Sequence, residues 1–213
     1  MNNKNRSALL PIAIFVGLSA FFAGCATTGM ERSEKATTTM QTVSEEISKV
    51  VVQLDLTGAS LNDLTRVGQS DVKSAFDSYS ANVLKMDELE KKFTIHADEM
   101  KMRGKEYFAE WKKQGNAYAN PKIRALSEQR RAELGEVYGK IAEESIGVKV
   151  VFKAYMSDIK EIQKFLSNDL TLKGTDSIIP ISDKVVQEGV SLKDALNRVQ
   201  EAINVASVEM AQQ

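Results

Sequence analysis

The sequence predicts an all-α protein: an elongated antiparallel four-helix bundle, organised as a coiled-coil hairpin of two long central helices with shorter helices outside it. Three observations predict this. Apolar residues recur every seven positions through four segments, the spacing that keeps one stripe on one face of a helix. Only Pro121 and Pro180 occur after residue 24, so little in the chain breaks a long helix. A single cysteine excludes an internal disulfide, which leaves packing to hold the fold.

The chain begins MNNKNR, with Lys4 and Arg6 its only charges before Glu31. Residues 8–22, ALLPIAIFVGLSAFF, form an apolar run, and the small residues Ala23 and Gly24 precede Cys25. A basic start, a short apolar stretch and small residues at its end make a secretory signal peptide over 1–24. The apolar run is shorter than the ~20 residues a membrane-spanning helix needs. Phe22-Ala23-Gly24-Cys25 resembles the bacterial lipoprotein box, with Phe where Leu is usual. The resemblance implies a diacylglyceryl group on the Cys25 thiol, cleavage before Cys25 and acylation of the new amine. Each buried methylene contributes ~0.8 kcal/mol, so two or three chains anchor firmly where one does so marginally. Ala26 stands where an Asp would retain a lipoprotein at the inner membrane, so an outer-membrane lipoprotein facing the periplasm is expected. Residues 25–31 are then the lipidated cysteine and a short tether, and 32–213 the helical domain.

The first helical segment runs from about 32 to 67, with rows Met40, Ile47, Leu54, Leu61 and Val43, Val50, Thr57, Leu64. Gly58 costs about 1 kcal/mol relative to Ala, and Ser60 with Asp63 can cap a fresh start, so a kink is expected near 57–60. The second runs from about 71 to 114, with rows Val72, Tyr79, Met86, Phe93, Met100, Tyr107 and Phe76, Val83, Glu90, Ala97, Gly104, Trp111. Glu90 flaws the stripe, and Leu89 beside it is expected to take over the contact. Gly115 is read as a helix stop.

Asn120-Pro121 opens the third segment, with Asn as cap and Pro in the first helical position. Its rows are Leu134, Ile141, Val148, Tyr155, Ile162 and Tyr138, Ser145, Phe152, Ile159, Leu166, and an end is expected near Lys173-Gly174. Thr175, Asp176 or Ser177 then caps the fourth, with Pro180 in its first turn and rows Ile178, Val185, Leu192, Val199, Ala206 and Gly189, Leu196, Ile203, Met210. Short connections make successive helices antiparallel.

Residues 107–134, YFAEWKKQGNAYANPKIRALSEQRRAEL, resemble a family of predicted bacterial lipoproteins catalogued as a domain of unknown function. The matching elements are Phe108-x-x-Trp111, Tyr118-Ala-Asn120, Ile123-Arg124 and Ser127, followed by Tyr138, Val151-Phe152 and Phe165-Leu166. After Leu166 the chain departs from the pattern, with Ser167-Asn168-Asp169 in place of a more basic segment. The resemblance implies a helical protein of the cell envelope and carries over no catalytic residue.

The inventory for chemistry is thin. His96 is the only histidine, which excludes His-rich metal sites and leaves a triad nothing else to build on. A di-iron bundle needs Glu-x-x-His, and Phe93 stands where that Glu would be. Glu90 is the one acid in a stripe, expected to reach the bundle edge or pair with a neighbouring Lys. No catalytic residue, cofactor or metal is therefore assigned, and the chain is not read as an enzyme. Nucleic acid is not an expected partner, because the chain is exported and carries a net charge of −1.

Charge is unevenly placed. Residues 101–131 hold nine basic and three acidic residues, a net +6. Lys112, Lys113, Tyr118, Lys122 and Arg124 surround the expected second turn and are the candidate contacts with membrane or partner. If Cys25 sits in a bilayer, the first helix leaves it and the second returns, which puts that turn at the membrane end. The expected function is a lipid-anchored structural or interaction protein that scaffolds the envelope. The alternative is a binding module for a small apolar or lipid ligand in the bundle core, with Thr57, Gly104, Ser145 and Gly189 leaving room. Expected partners are the membrane, other envelope proteins or anionic lipid, and a second copy of the chain.

Overall fold

A computed structural model describes residues 28–211. The expected signal peptide, Cys25 and the first two residues of the expected tether lie outside the described residues. Among those described the protein is all-helical, without a strand, and five helices pack together: α1 (Gly29–Leu64), α2 (Val72–Gly115), α3 (Pro121–Asn168), α4 (Leu172–Ser177) and α5 (Ile179–Ala211). The 44 residues of α2 span about 66 Å and the 48 of α3 about 72 Å.

Each long helix packs on two others: α1 on α2 and α5, and α3 on α2 and α5. Contacts across each pair give the directions. Arg32, early in α1, donates to Gln114, late in α2, at 2.9 Å. Ser44 of α1 reaches Gln200 of α5 at 2.9 Å, and Lys193 of α5 reaches Asp55 of α1 at 2.8 Å. Tyr79 of α2 donates to the Ile159 carbonyl of α3 at 2.8 Å, and Tyr138 of α3 to the Met100 carbonyl of α2 at 2.6 Å. Arg130 of α3 pairs with Glu209 of α5. Neighbouring helices thus run in opposite directions.

The stripes form the core. Both rows of α1 are buried throughout, as are both rows of α3 from Leu134 to Leu166. Glu90 is half-buried and Leu89 is buried in its stead. The hydroxyls of Tyr79 and Tyr138 end on main-chain carbonyls, which satisfies two polar groups the core would otherwise strand. Gln53, also buried, donates to Asn82 at 2.9 Å and links α1 to α2 within an apolar seam.

Several local expectations change. α1 begins at Gly29, so residues 29–31 are helix rather than tether, and Thr28 with Glu31 forms a reciprocal cap there. α1 also passes through Gly58 without interruption. Ser60 does not restart it: its hydroxyl donates back to the Thr57 carbonyl at 2.9 Å, and Thr57 does the same to Gln53 at 2.7 Å. Gly115 is the last residue of α2 rather than a left-handed stop. It is buried, and a β-carbon there would lie 3.0 Å from the Ser127 hydroxyl, so it serves close approach of α2 and α3. Among the described residues the left-handed glycine is Gly68, at φ 75°, in the α1–α2 connection.

α3 ends at Asn168, ahead of Lys173-Gly174, because Asp169 and Thr171 bond locally instead of continuing the helix. Thr171 then caps a further helix that the rows did not show, the six-residue α4, by accepting from the Gly174 N–H at 3.0 Å, and the expected cap residues Thr175, Asp176 and Ser177 lie inside α4. Gly174 lies so close to the Asp169 carbonyl that a β-carbon would stand 2.3 Å away. α5 follows with Pro180 in its first turn, where a missing N–H costs nothing.

Candidate functional site

The candidate site is the end of the molecule where α1 starts, α2 turns into α3 and α5 finishes. Lys112 and Lys113 occupy the last turn of α2, where positive charge complements the helix dipole. Asn120 caps α3 by accepting from the Lys122 N–H at 2.9 Å. Arg124, one turn on, folds back and donates to the Tyr118 carbonyl from Nε at 3.3 Å and Nη2 at 2.8 Å, which closes the turn. The five predicted contact residues thus flank one connection, with Tyr118 within it.

Beneath them lies an aromatic support. Trp111 donates from Nε1 to the Ser127 hydroxyl at 3.0 Å across the helix pair. Tyr107 meets Phe108 and Trp111 edge-on, at centroid distances of 5.1 and 5.6 Å. Phe108 meets Tyr138 at 5.6 Å. Burial pushes the Tyr138 hydroxyl up to about 12, so it stays a protonated donor. Of the residues that carry the family resemblance, Phe108, Trp111, Tyr118, Asn120, Arg124 and Ser127 shape and brace this turn, whereas Phe152 and Leu166 lie in the core.

Every residue from 116 to 126 is exposed, while the rows of α3 first become buried at Leu134. The α2–α3 hairpin therefore projects as a tip. Among the described residues, Lys112, Lys122 and Arg124 have no carboxylate within 4 Å, and Lys113 has Glu110 at 3.7 Å. The tip also carries exposed apolar side chains that the heptad rows did not single out: Ile123 at 49% and Leu126 at 66% exposure, with Met30 at 74% at the start of α1. Their signal in the sequence is negative. Ile123 and Leu126 are apolar, three apart, and lie before the stripe of α3 begins. A groove of about 790 Å³ runs beside the tip, lined in part by Met30, Tyr107, Trp111, Tyr118, Arg130 and Met210.

The remaining candidates sit elsewhere. His96 is half-buried, its Nδ1 3.9 Å from Glu46 of α1. Glu46 is buried and bound by Lys49 at 2.9 Å, a pairing the heptad rows did not reveal because Glu46 sits beside the row residue Ile47. Two of the small stripe residues have large neighbours: a β-carbon on Gly104 would lie 2.0 Å from Tyr138, and one on Gly189 3.4 Å from Tyr155. Among the described residues no helix is long and apolar enough to cross a membrane, and no group of three or more His, Cys, Asp or Glu is placed to hold a metal ion.

Comparison with family models, with curated proteins and with solved structures gives no match.

Proposed function

We propose that this chain is a non-catalytic scaffold of the bacterial envelope: an elongated antiparallel four-helix bundle tied by acyl chains on Cys25 to the periplasmic face of the outer membrane. The observation that carries this reading is the position of the chain start. Thr28 opens α1 at the same end as the basic tip, and Arg32 bonds Gln114 there. Only residues 26 and 27 separate Cys25 from that cap, a reach of about 10 Å from Cys25 to Thr28. An anchor so placed holds the rod by one end and leaves its long sides open to other envelope components.

The reading of a small ligand inside the core draws no support from the packing, since Tyr138 and Tyr155 fill the positions opened by Gly104 and Gly189. The test combines two measurements on cells making the full chain. Fatty-acid labelling with mass spectrometry should find acyl groups on Cys25 and none in Cys25→Ser. Photocrosslinking from exposed Val150 and Val208 should give discrete adducts with envelope components. A bare thiol in protein from the membrane fraction, or absence of adducts from both helix faces, overturns the proposal.

A further inference from the structure

We propose that the α2–α3 tip is a second membrane contact, which binds anionic phospholipid headgroups and lays its apolar side chains into the interface. The proposal deepens the anchoring reading and rests on it for which end faces the bilayer. The charge and the apolar surface of the tip stand independently of it.

Three features point to a charged lipid surface. Among the described residues Lys112, Lys122 and Arg124 flank the turn with no carboxylate within 4 Å, so their charge is available. The exposed apolar residues lie among them: Ile123 and Leu126 share one face of α3, with Tyr118 just before. Basic residues around an aromatic and aliphatic patch match the water–lipid boundary, where charges meet phosphates and apolar groups leave water. The opposite end also exposes apolar groups, Val67 at 85% and Leu172 at 57%, but lacks the positive charge. Residues 63–77 and 169–183 hold six aspartates against three basic residues, a net −3.

The tip is also preorganised. Asn120 fixes the start of α3, Arg124 ties the turn, and Trp111 bonds Ser127 behind it. Binding then orders little further chain, which conserves affinity. Met30 on α1 lies beside the same groove as Tyr118, so apolar groups from α1 and from the α2–α3 connection face one side of the end.

Trp111, the only tryptophan, is a native reporter at the tip. The full chain, purified from bacterial membranes, is reconstituted into vesicles of brominated phosphatidylcholine with or without phosphatidylglycerol, and Trp111 quenching is measured. Mass spectrometry of Cys25 is run on the same sample. Quenching should at least double on the anionic vesicles and return to the neutral level at high salt. Each basic residue removed should lower the occupancy constant about fivefold. Lys112→Glu/Lys122→Glu, which spares the Arg124 bond, should therefore abolish most of the anionic response, and Ile123→Ser/Leu126→Ser should reduce quenching at unchanged helicity. Equal quenching on neutral and anionic vesicles overturns the tip contact. Acylated Cys25 with no anionic response removes the tip contact and leaves the anchor. Bare Cys25 with a full anionic response removes the anchor and leaves the tip contact.

Discussion

At the scale of single residues, two glycines separate packing from propensity. Gly104 gives its space to the Tyr138 ring. Gly104→Ala gains helix propensity but forces that ring aside, so a net loss of about 1–3 kcal/mol is expected in denaturant melts. Gly58 meets nothing within 4 Å, and Gly58→Ala should stabilise by about 0.5–1 kcal/mol. Titration gives a second contrast. Asp158 is pushed above the usual carboxylate range by desolvation and by Glu188 facing it, with Lys184 opposing. Its folded state holds the proton more tightly than the unfolded chain, so this pair destabilises at neutral pH and is relieved as pH falls through the raised value. Asp158→Asn should raise the melting temperature at pH 7, and the gain should fade in acid. Asp87 behaves oppositely. Lys160, then Lys91, hold it below its usual value, so its contribution is present at neutral pH and lost as pH falls through that lowered value.

At the scale of elements, the heptad rows were a sound guide because burial on a long helix depends on little besides angular position. Ile47, Phe93, Val148 and Leu196 were readable as core for that reason, and each is buried. What was not readable depends on local bonds made by short polar side chains. Ser60 looked like a cap and bonds inward instead, and the break near 169–171 arises where Asp169 and Thr171 bond each other. The basic turn could be named from composition alone. The apolar part of the tip could not, since the exposure of Ile123 and Leu126 depends on how far the hairpin outruns its neighbours. Thr171 is the test of this scale. Thr171→Ala removes the side-chain acceptor for the Gly174 N–H and should cost about 1 kcal/mol, read as faster amide exchange in α4 with slower change in the four long helices.

At the scale of the whole molecule, α3 alone spans about 72 Å, so small-angle scattering of the protein should give a maximum dimension above that value. A maximum dimension well below it would contradict an unbroken α3 over Pro121–Asn168. The two ends differ in sign, +6 over residues 101–131 against −3 over the connections opposite. That separation gives the body a permanent electric moment along its long axis. Near a negatively charged sheet the moment supplies a torque that turns the axis upright, and Debye screening limits the torque to within about 10 Å of the sheet at 0.1 M salt. Uprightness would then be set by salt as much as by any covalent link, and the height of the distal loops above the sheet would fall as ionic strength rises.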